Sequence, residues 1–373
     1  MNITHTLKLV IILCTLTTRA IAYEALSLQD LLEKNPKIEQ QKLSTKIKLK
    51  FDRFPIASSE DSTWDAPIIP ETFILKIPRG KVFSPNGIVV ADGYLTQELI
   101  WPWSPIKRNP SALKELPPAE PVKGNVVVLA QEGHRNYYHW LTEVLPKFAL
   151  LEQSGAGYDF LYLPDRDLPF QRETLDMLGI DEKKIITGYK NTCIEADTLI
   201  VPSFASRSCV TPPWIAQYIR KQLMKHKAEV KDGSKKIFIS RSKAPQRRIT
   251  NEGEIQKWLE NQDFKTVHLE ALSVREQMAV FEHADLIVAP HGAGLANLLF
   301  ANPGTQVIEI FQALEDDSYC YLSQTLDLKY HCIATTPFLK DSDKARKLDT
   351  EVDWEKLRPQ LEALLSPEKS LKS

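Results

Sequence analysis

The stretch from Ala284 to Phe311, ADLIVAPHGAGLANLLFANPGTQVIEIF, constrains the chain more than any other. Leu286, Ile287, Val288 and Ala289 make a short apolar run suited to a strand buried on both faces, and Pro290 stops it. His291, Gly292, Ala293 and Gly294 follow, leading into a helix-forming run from Leu295 to Phe300 that halts at Asn302-Pro303-Gly304. Strand, glycine turn and short helix in that order aim free backbone N–H groups and the positive end of a helix dipole at one spot. The glycines let a diphosphate come close. The stretch is therefore predicted to be an anion seat, although a glycine turn can also serve only to pack a helix on a sheet. Gln306 to Phe311 read as a second strand, with Glu309 between Ile308 and Ile310. A carboxylate there is expensive to bury without a partner. A ribose diol is the partner that an acidic strand residue takes in dinucleotide folds.

A second informative stretch, Gly133 to Leu151, follows the buried-type strand Val126-Val127-Val128-Leu129. His139, Glu143 and Lys147 recur every fourth residue and so share one helix face, while Leu141, Val144, Leu145 and Phe148 supply an apolar stripe. Pro146 is expected to kink that helix or start a second one. The bland reading is an amphipathic helix with a solvated His-Glu-Lys edge. Against it stands position: Asn136-Tyr137-Tyr138-His139-Trp140 lies just past a strand end, where open α/β sheets form their ligand crevices.

The remaining chain sets the frame. With 373 residues, 43% of them hydrophobic, a large core and two domains are affordable by length. Its 47 basic and 48 acidic side chains are interspersed, so no basic face for nucleic acid is expected. Residues 1–22 read as a signal peptide or a membrane anchor: Leu9 to Thr18 is apolar but short for a span, with Lys8 before it and Ala20-Ile21-Ala22 after it. Beyond Cys14, the four cysteines Cys193, Cys209, Cys320 and Cys332 allow two disulfides or four buried thiols, and their spacing fits no zinc pattern. Glu24 to Lys50 reads as a surface helix or linker, and Phe73 to Leu99 as β-hairpins punctuated by Pro78-Arg79-Gly80, Pro85-Asn86-Gly87 and Asp92-Gly93. Strand and helix signals then alternate, predicting a parallel sheet. The charged run Lys225 to Lys236 is the best linker, which places an N-terminal acceptor-side domain at 23–230 and a C-terminal donor-side domain at 231–373.

After the strand Ile237-Phe238-Ile239 come Ser240 and Arg241, then a loop with Arg247 and Arg248; arginines at such a place meet phosphate oxygens well, or are only surface cations. Asn251 with Glu254, and Ser273 with Glu276, have the spacing of helix capping boxes, and Glu252 is left without a role.

Four separated blocks resemble glycosyltransferase family 61 in the same order: the segment near Gly80 to Leu99, NYYHWLTEVLPKF, ISRSKAPQRRITNEGEI, and EQMAVFEHADLIVAPHGAGLANLLFANPGTQVIEIF. The resemblance covers roughly Phe73 to Phe311. It implies an α/β, GT-B-like pair of Rossmann-type domains facing a crevice, with the β-hairpins near the N-terminus. It also implies inverting transfer of a sugar from a nucleotide diphosphate, commonly UDP, to a glycan or protein hydroxyl. On the family pattern, Arg241, Arg248, His291, Gly292, Ala293, Gly294, Asn297 and Glu309 are similar to donor-binding positions, and His139 and Glu143 lie on the acceptor side as the catalytic pair. The pattern does not settle which is the base. Glu143 is favoured because the aromatic wall of Tyr137, Tyr138 and Trp140 would desolvate it and raise its pKa, leaving His139 to orient acceptor or base.

No Asp-x-Asp triad is present beyond Asp165 and Asp167 around Arg166, so neither metal nor other cofactor is expected, and the arginines and N–H groups would hold the leaving diphosphate. A Rossmann oxidoreductase is disfavoured because HGAGLAN lacks the third glycine. The alternative is a non-catalytic nucleotide- or glycan-binding protein with the same crevice. The location expected is the lumen of the secretory pathway in a eukaryote, or exported or membrane-anchored in a bacterium.

Overall fold

The computed structural model describes residues 23–51, 67–113, 115–229, 233–312, 316–335 and 347–366. The expected signal or anchor at residues 1–22 lies outside the described residues. Among the described residues no helix is long and apolar enough to cross a membrane.

The C-terminal half is a five-stranded parallel sheet in the spatial order Lys265–Val267, Lys236–Ile239, Leu286–Pro290, Gln306–Phe311, Lys329–Ala334. Numbered along the chain this is 2-1-3-4-5, one of the two common doubly wound orders. Its direction reverses between Lys236–Ile239 and Leu286–Pro290, and a ligand crevice belongs outside the carboxyl ends of those two strands. Arg241 follows the first and His291 the second. The strands are apolar because helices cover both faces, as parallel sheets require.

The N-terminal half departs from a purely Rossmann-type expectation. Glu120–Val128, Phe160–Pro164, Ile185–Gly188 and Cys193–Pro202 pair in parallel, but Thr72–Pro78 and Lys81–Phe83 both join Cys193–Pro202 antiparallel. Ile88–Ala91 and Tyr94–Thr96 continue as hairpins, so the ten-stranded sheet is mixed. The segment expected as a surface helix or linker is part of it. Glu24–Leu26 pairs with Tyr94–Thr96, Glu39–Ser44 pairs with Thr72–Pro78, and between them Leu28–Lys34 is a short helix capped by Ser27. Short strands with mixed partners leave little hydrophobic period to read.

One apolar cluster runs through both halves, joining Trp140, Leu141 and Ile215 to Leu295, Leu298 and Phe300. The halves are thus packed together along part of their facing surfaces. Cys193, Cys209, Cys320 and Cys332 are free thiols, so the disulfide alternative does not hold. Ser273 and Glu276 form the expected capping box. Asn251 does not cap: its side chain instead holds the backbone of Val352 in both directions.

Candidate functional site

The His139–Glu143 face survives an irregular helix. Asn136 caps it by accepting from the Tyr138 N–H at 2.9 Å. Tyr137–His139 is α-helical, Trp140–Val144 is a π-turn, and Pro146–Ser154 resumes as α-helix. Pro146 is the cause: it has no N–H to give and its ring would strike a carbonyl one turn back, so the backbone widens and Leu145 N bonds to Trp140 O at 3.0 Å.

Glu143 is buried, and its oxygens accept five hydrogen bonds. Oε1 takes His139 Nδ1 at 2.8 Å, the Ser208 hydroxyl at 2.5 Å and the Cys209 N–H at 3.4 Å. Oε2 takes Trp101 Nε1 at 3.2 Å and Gln131 Nε2 at 2.9 Å. Burial pushes the carboxyl up, but the hydrogen bonds from His139, Ser208 and Trp101 outweigh it and hold it below the usual carboxylate range. The expected upward shift is therefore corrected: the aromatic wall brings donors as well as desolvation. An ionised Glu143 can only accept, so the His139 proton sits on Nδ1 and the Nε2 lone pair is left over. Among the described residues that Nε2 has no hydrogen-bond partner.

The C-terminal half repeats this arrangement. His291 Nδ1 lies 2.5 Å from Glu309 Oε1, and the Tyr330 hydroxyl donates to Glu309 Oε2 at 2.5 Å. The premise that Glu309 needs a ribose to offset its burial thus fails, because both oxygens are engaged within the protein. His291 also stacks on Phe311 at 5.3 Å. Gly292 is required by close approach: a Cβ there would lie 2.1 Å from Arg241 Nη1. The following Ala293–Phe300 is a 3₁₀ helix, tighter than the α-helix expected, and Leu295 to Phe300 are wholly buried. Gly294 leaves room for Leu269.

Glu252 has the role that sequence left blank. Its carboxylate accepts the Ser240 hydroxyl and, at 3.0 Å, the Arg241 N–H, fixing the strand end. Arg241 in turn donates to the carbonyls of Arg247 at 3.2 Å and Gln246 at 2.9 Å. It thereby holds the loop that presents Arg247, whose backbone has a φ of 56°.

His139, His291, Arg247 and Ala293 meet in one cleft, with Trp103, Tyr138 and Tyr319 as walls and Asp316 at its edge. Its open volume is about 50 Å³. Of the eight expected donor residues only His291 and Ala293 line it. Arg248 is turned away into a bidentate pair with Asp349, at 2.9 and 2.6 Å. Asn297 is fully buried, donating to Gln277 at 2.7 Å and Gly294 O at 3.0 Å and accepting from Tyr137 at 2.9 Å. Arg241 works through its loop. Arg247, one residue from the arginine chosen from sequence, takes the place expected of Arg248; only the loop's turn decides which neighbour points inward. Asp165 and Asp167 are ion-paired with Arg135, Asp165 also with His134 at 2.9 Å. Among the described residues no three His, Cys, Asp or Glu side chains gather as a metal site.

The family described as glycosyltransferase 61 matches residues 137–308. That span runs from the start of the His139 helix to the strand that carries Glu309. This segment, a little under half of the chain, is similar to glycosyltransferase family 61. A relative, the beta-1,2-xylosyltransferase RCN11 of Oryza sativa subsp. japonica, is 30% identical over 95 residues, which cover 23% of this chain and 18% of the relative. The alignment therefore spans about a fifth of that relative's length. Within the family 61 segment lie both histidines, Glu143, Arg241 and Arg247, whereas Trp101, Trp103 and the hairpins precede it.

Proposed function

We propose that this chain transfers a sugar from a nucleotide diphosphate, UDP first among the candidates, to an acceptor hydroxyl with inversion and without a metal. The observation that supports this reading is one cleft receiving a carboxylate-held histidine from each half of the molecule, beside Arg247. His139 is the base. The acceptor oxygen bonds to the anomeric carbon as the bond to the diphosphate oxygen breaks; the acceptor proton passes to His139 Nε2 and the electron pair leaves with the diphosphate. Glu143 is a positioning residue that fixes the tautomer and steadies the imidazolium, which reverses the assignment expected from sequence. Arg247 and the backbone at Ala293 receive the leaving diphosphate, with His291 beside them. Lumenal location follows from where nucleotide sugars and exported acceptors meet.

The test is transfer from a panel of UDP-sugars, with UDP-xylose tried first. His139→Ala should lower transfer by about 10²–10⁴-fold, the usual range for a general base, with UDP affinity unchanged. Glu143→Gln should also lower it strongly, because an amide lets the imidazole take the wrong tautomer. Arg247→Ala should weaken UDP binding about tenfold, while Arg248→Ala should not. Transfer at the native rate by His139→Ala, or loss of transfer in EDTA that manganese restores, would sink the respective part of the reading.

A further inference from the structure

Trp103 stands at the mouth of the cleft with 43% of its surface exposed, an unusual position for a large apolar ring. It is held in place. Trp101 meets it edge-on at 4.8 Å and 76°, and the Trp101 indole N–H is bonded to Glu143. Trp101 also packs edge-on against His139 at 5.4 Å, and the Trp103 ring lies 6.1 Å from the same imidazole. One carboxylate therefore orients both the base and, through Trp101, the exposed ring beside it.

On the far side of this tryptophan ridge lies a second cleft of about 270 Å³, walled by Trp101, Pro102, Ile68 and Phe204 and edged by Ser208 and Arg207. Glu143 borders it too. Its walls are apolar, and its rim offers a hydroxyl and a guanidinium. The Arg207 guanidinium brings N–H donors to that rim. Apolar plates with a guanidinium donor and a hydroxyl acceptor at the rim suit a sugar, whose ring presents C–H groups on its faces and hydroxyls at its edge.

We propose that the acceptor is a saccharide of at least two residues: the residue bearing the reacting hydroxyl stacks on Trp103 next to His139, and its neighbour crosses the ridge into the cleft walled by Ile68, Pro102 and Phe204. This rests on the glycosyl-transfer reading above. A serine or threonine of a bare polypeptide would use neither plate.

The test uses protein labelled at its indole N–H groups, with the Trp103 signal assigned through Trp103→Phe. Methyl glycosides of xylose, mannose and N-acetylglucosamine, the matching disaccharides, and a serine-rich peptide are titrated in the presence of UDP. A disaccharide should move the Trp103 signal and bind about tenfold more tightly than its monosaccharide, the gain expected from a second stacked residue. Trp103→Ala should raise KM for the saccharide about tenfold or more, Trp103→Phe should restore most of it, and Ile68→Asp should remove only the preference for the longer acceptor. Response to the peptide alone, no response to any saccharide, or native saccharide KM in Trp103→Ala would overturn the proposal. Absence of both donor hydrolysis and UDP binding in the unaltered protein would instead sink the transferase reading on which it stands.

Discussion

Lys147 is the residue most out of place. It lies one turn beyond Glu143 and is buried, with the Ala130 carbonyl at 3.5 Å and the Phe204 ring at 5.4 Å beside its ammonium. Burial pushes its pKa down from 10.5 to about 7, with Glu143 opposing. Between those two values the unfolded chain holds the proton and the folded one releases it, so stability rises with pH across that window. Below about pH 7 both forms are protonated and the full cost of the buried charge is present. Lys147→Met should therefore stabilise the fold by about 1–3 kcal/mol at pH 6, with the gain shrinking towards pH 10. Denaturant midpoints at the two pH values measure this; an equal effect at both would show that charge is not the cause. The same residue illustrates what spacing can and cannot reveal. The every-fourth-residue pattern placed His139, Glu143 and Lys147 on one face, and they do share it. Whether that face met water or protein was not legible, because burial is decided by Trp101, Gln131 and Ser208, which are distant in sequence.

At the scale of elements, the helix that begins at Tyr137 and the turn that begins at His291 are tied by few polar contacts. The main one is the 2.9 Å bond from the Tyr137 hydroxyl to Asn297. Asn297 spends its amide on Gln277 and Gly294, so its oxygen has Tyr137 as its partner across the interface. Tyr137→Phe should cost about 1–2 kcal/mol, the loss of a buried hydrogen bond with one acceptor left unmet, and Asn297→Ala about 2–4 kcal/mol because three bonds go. Chemical denaturation reads both, and equal costs would contradict the bond accounting. Glycines, prolines and apolar runs made the strand, turn and helix of 284–311 legible in advance. The type of helix was not, since a 3₁₀ and an α-helix of eight residues share the same composition and differ in how tightly Leu269 and Gln277 pack against them. Nor was the pairing of Glu309 legible: His291 and Tyr330 come from a turn and a strand that only the sheet register brings beside it.

For the whole molecule, the C-terminal sheet followed from alternating strand and helix signals, whereas the N-terminal one came out mixed because hairpin turns force antiparallel neighbours onto the strand Cys193–Pro202. The order 2-1-3-4-5 accounts for the location of the cleft, at the reversal point between the strands before Arg241 and His291. Of the residues chosen from sequence, His139, His291 and Ala293 line the cleft at that point, and Arg241 and Gly292 lie beside it. Arg248 and Asn297 are carried elsewhere, by a loop turn and by an inward-facing amide.

The apolar cluster shared by the two halves restricts how a donor gets in. An open volume of about 50 Å³ holds one or two waters, far short of a nucleotide. Swinging the halves apart like jaws would pull Trp140 and Leu141 away from Leu295 and Phe300 and wet a large apolar area, at a cost that donor binding could not match. Admission must then be local, through the rim that carries Arg247 and Asp316, and the molecule as a whole should keep its dimensions. Small-angle scattering with and without saturating UDP should give the same radius of gyration, and a clear contraction on binding would mean that the shared interior parts after all.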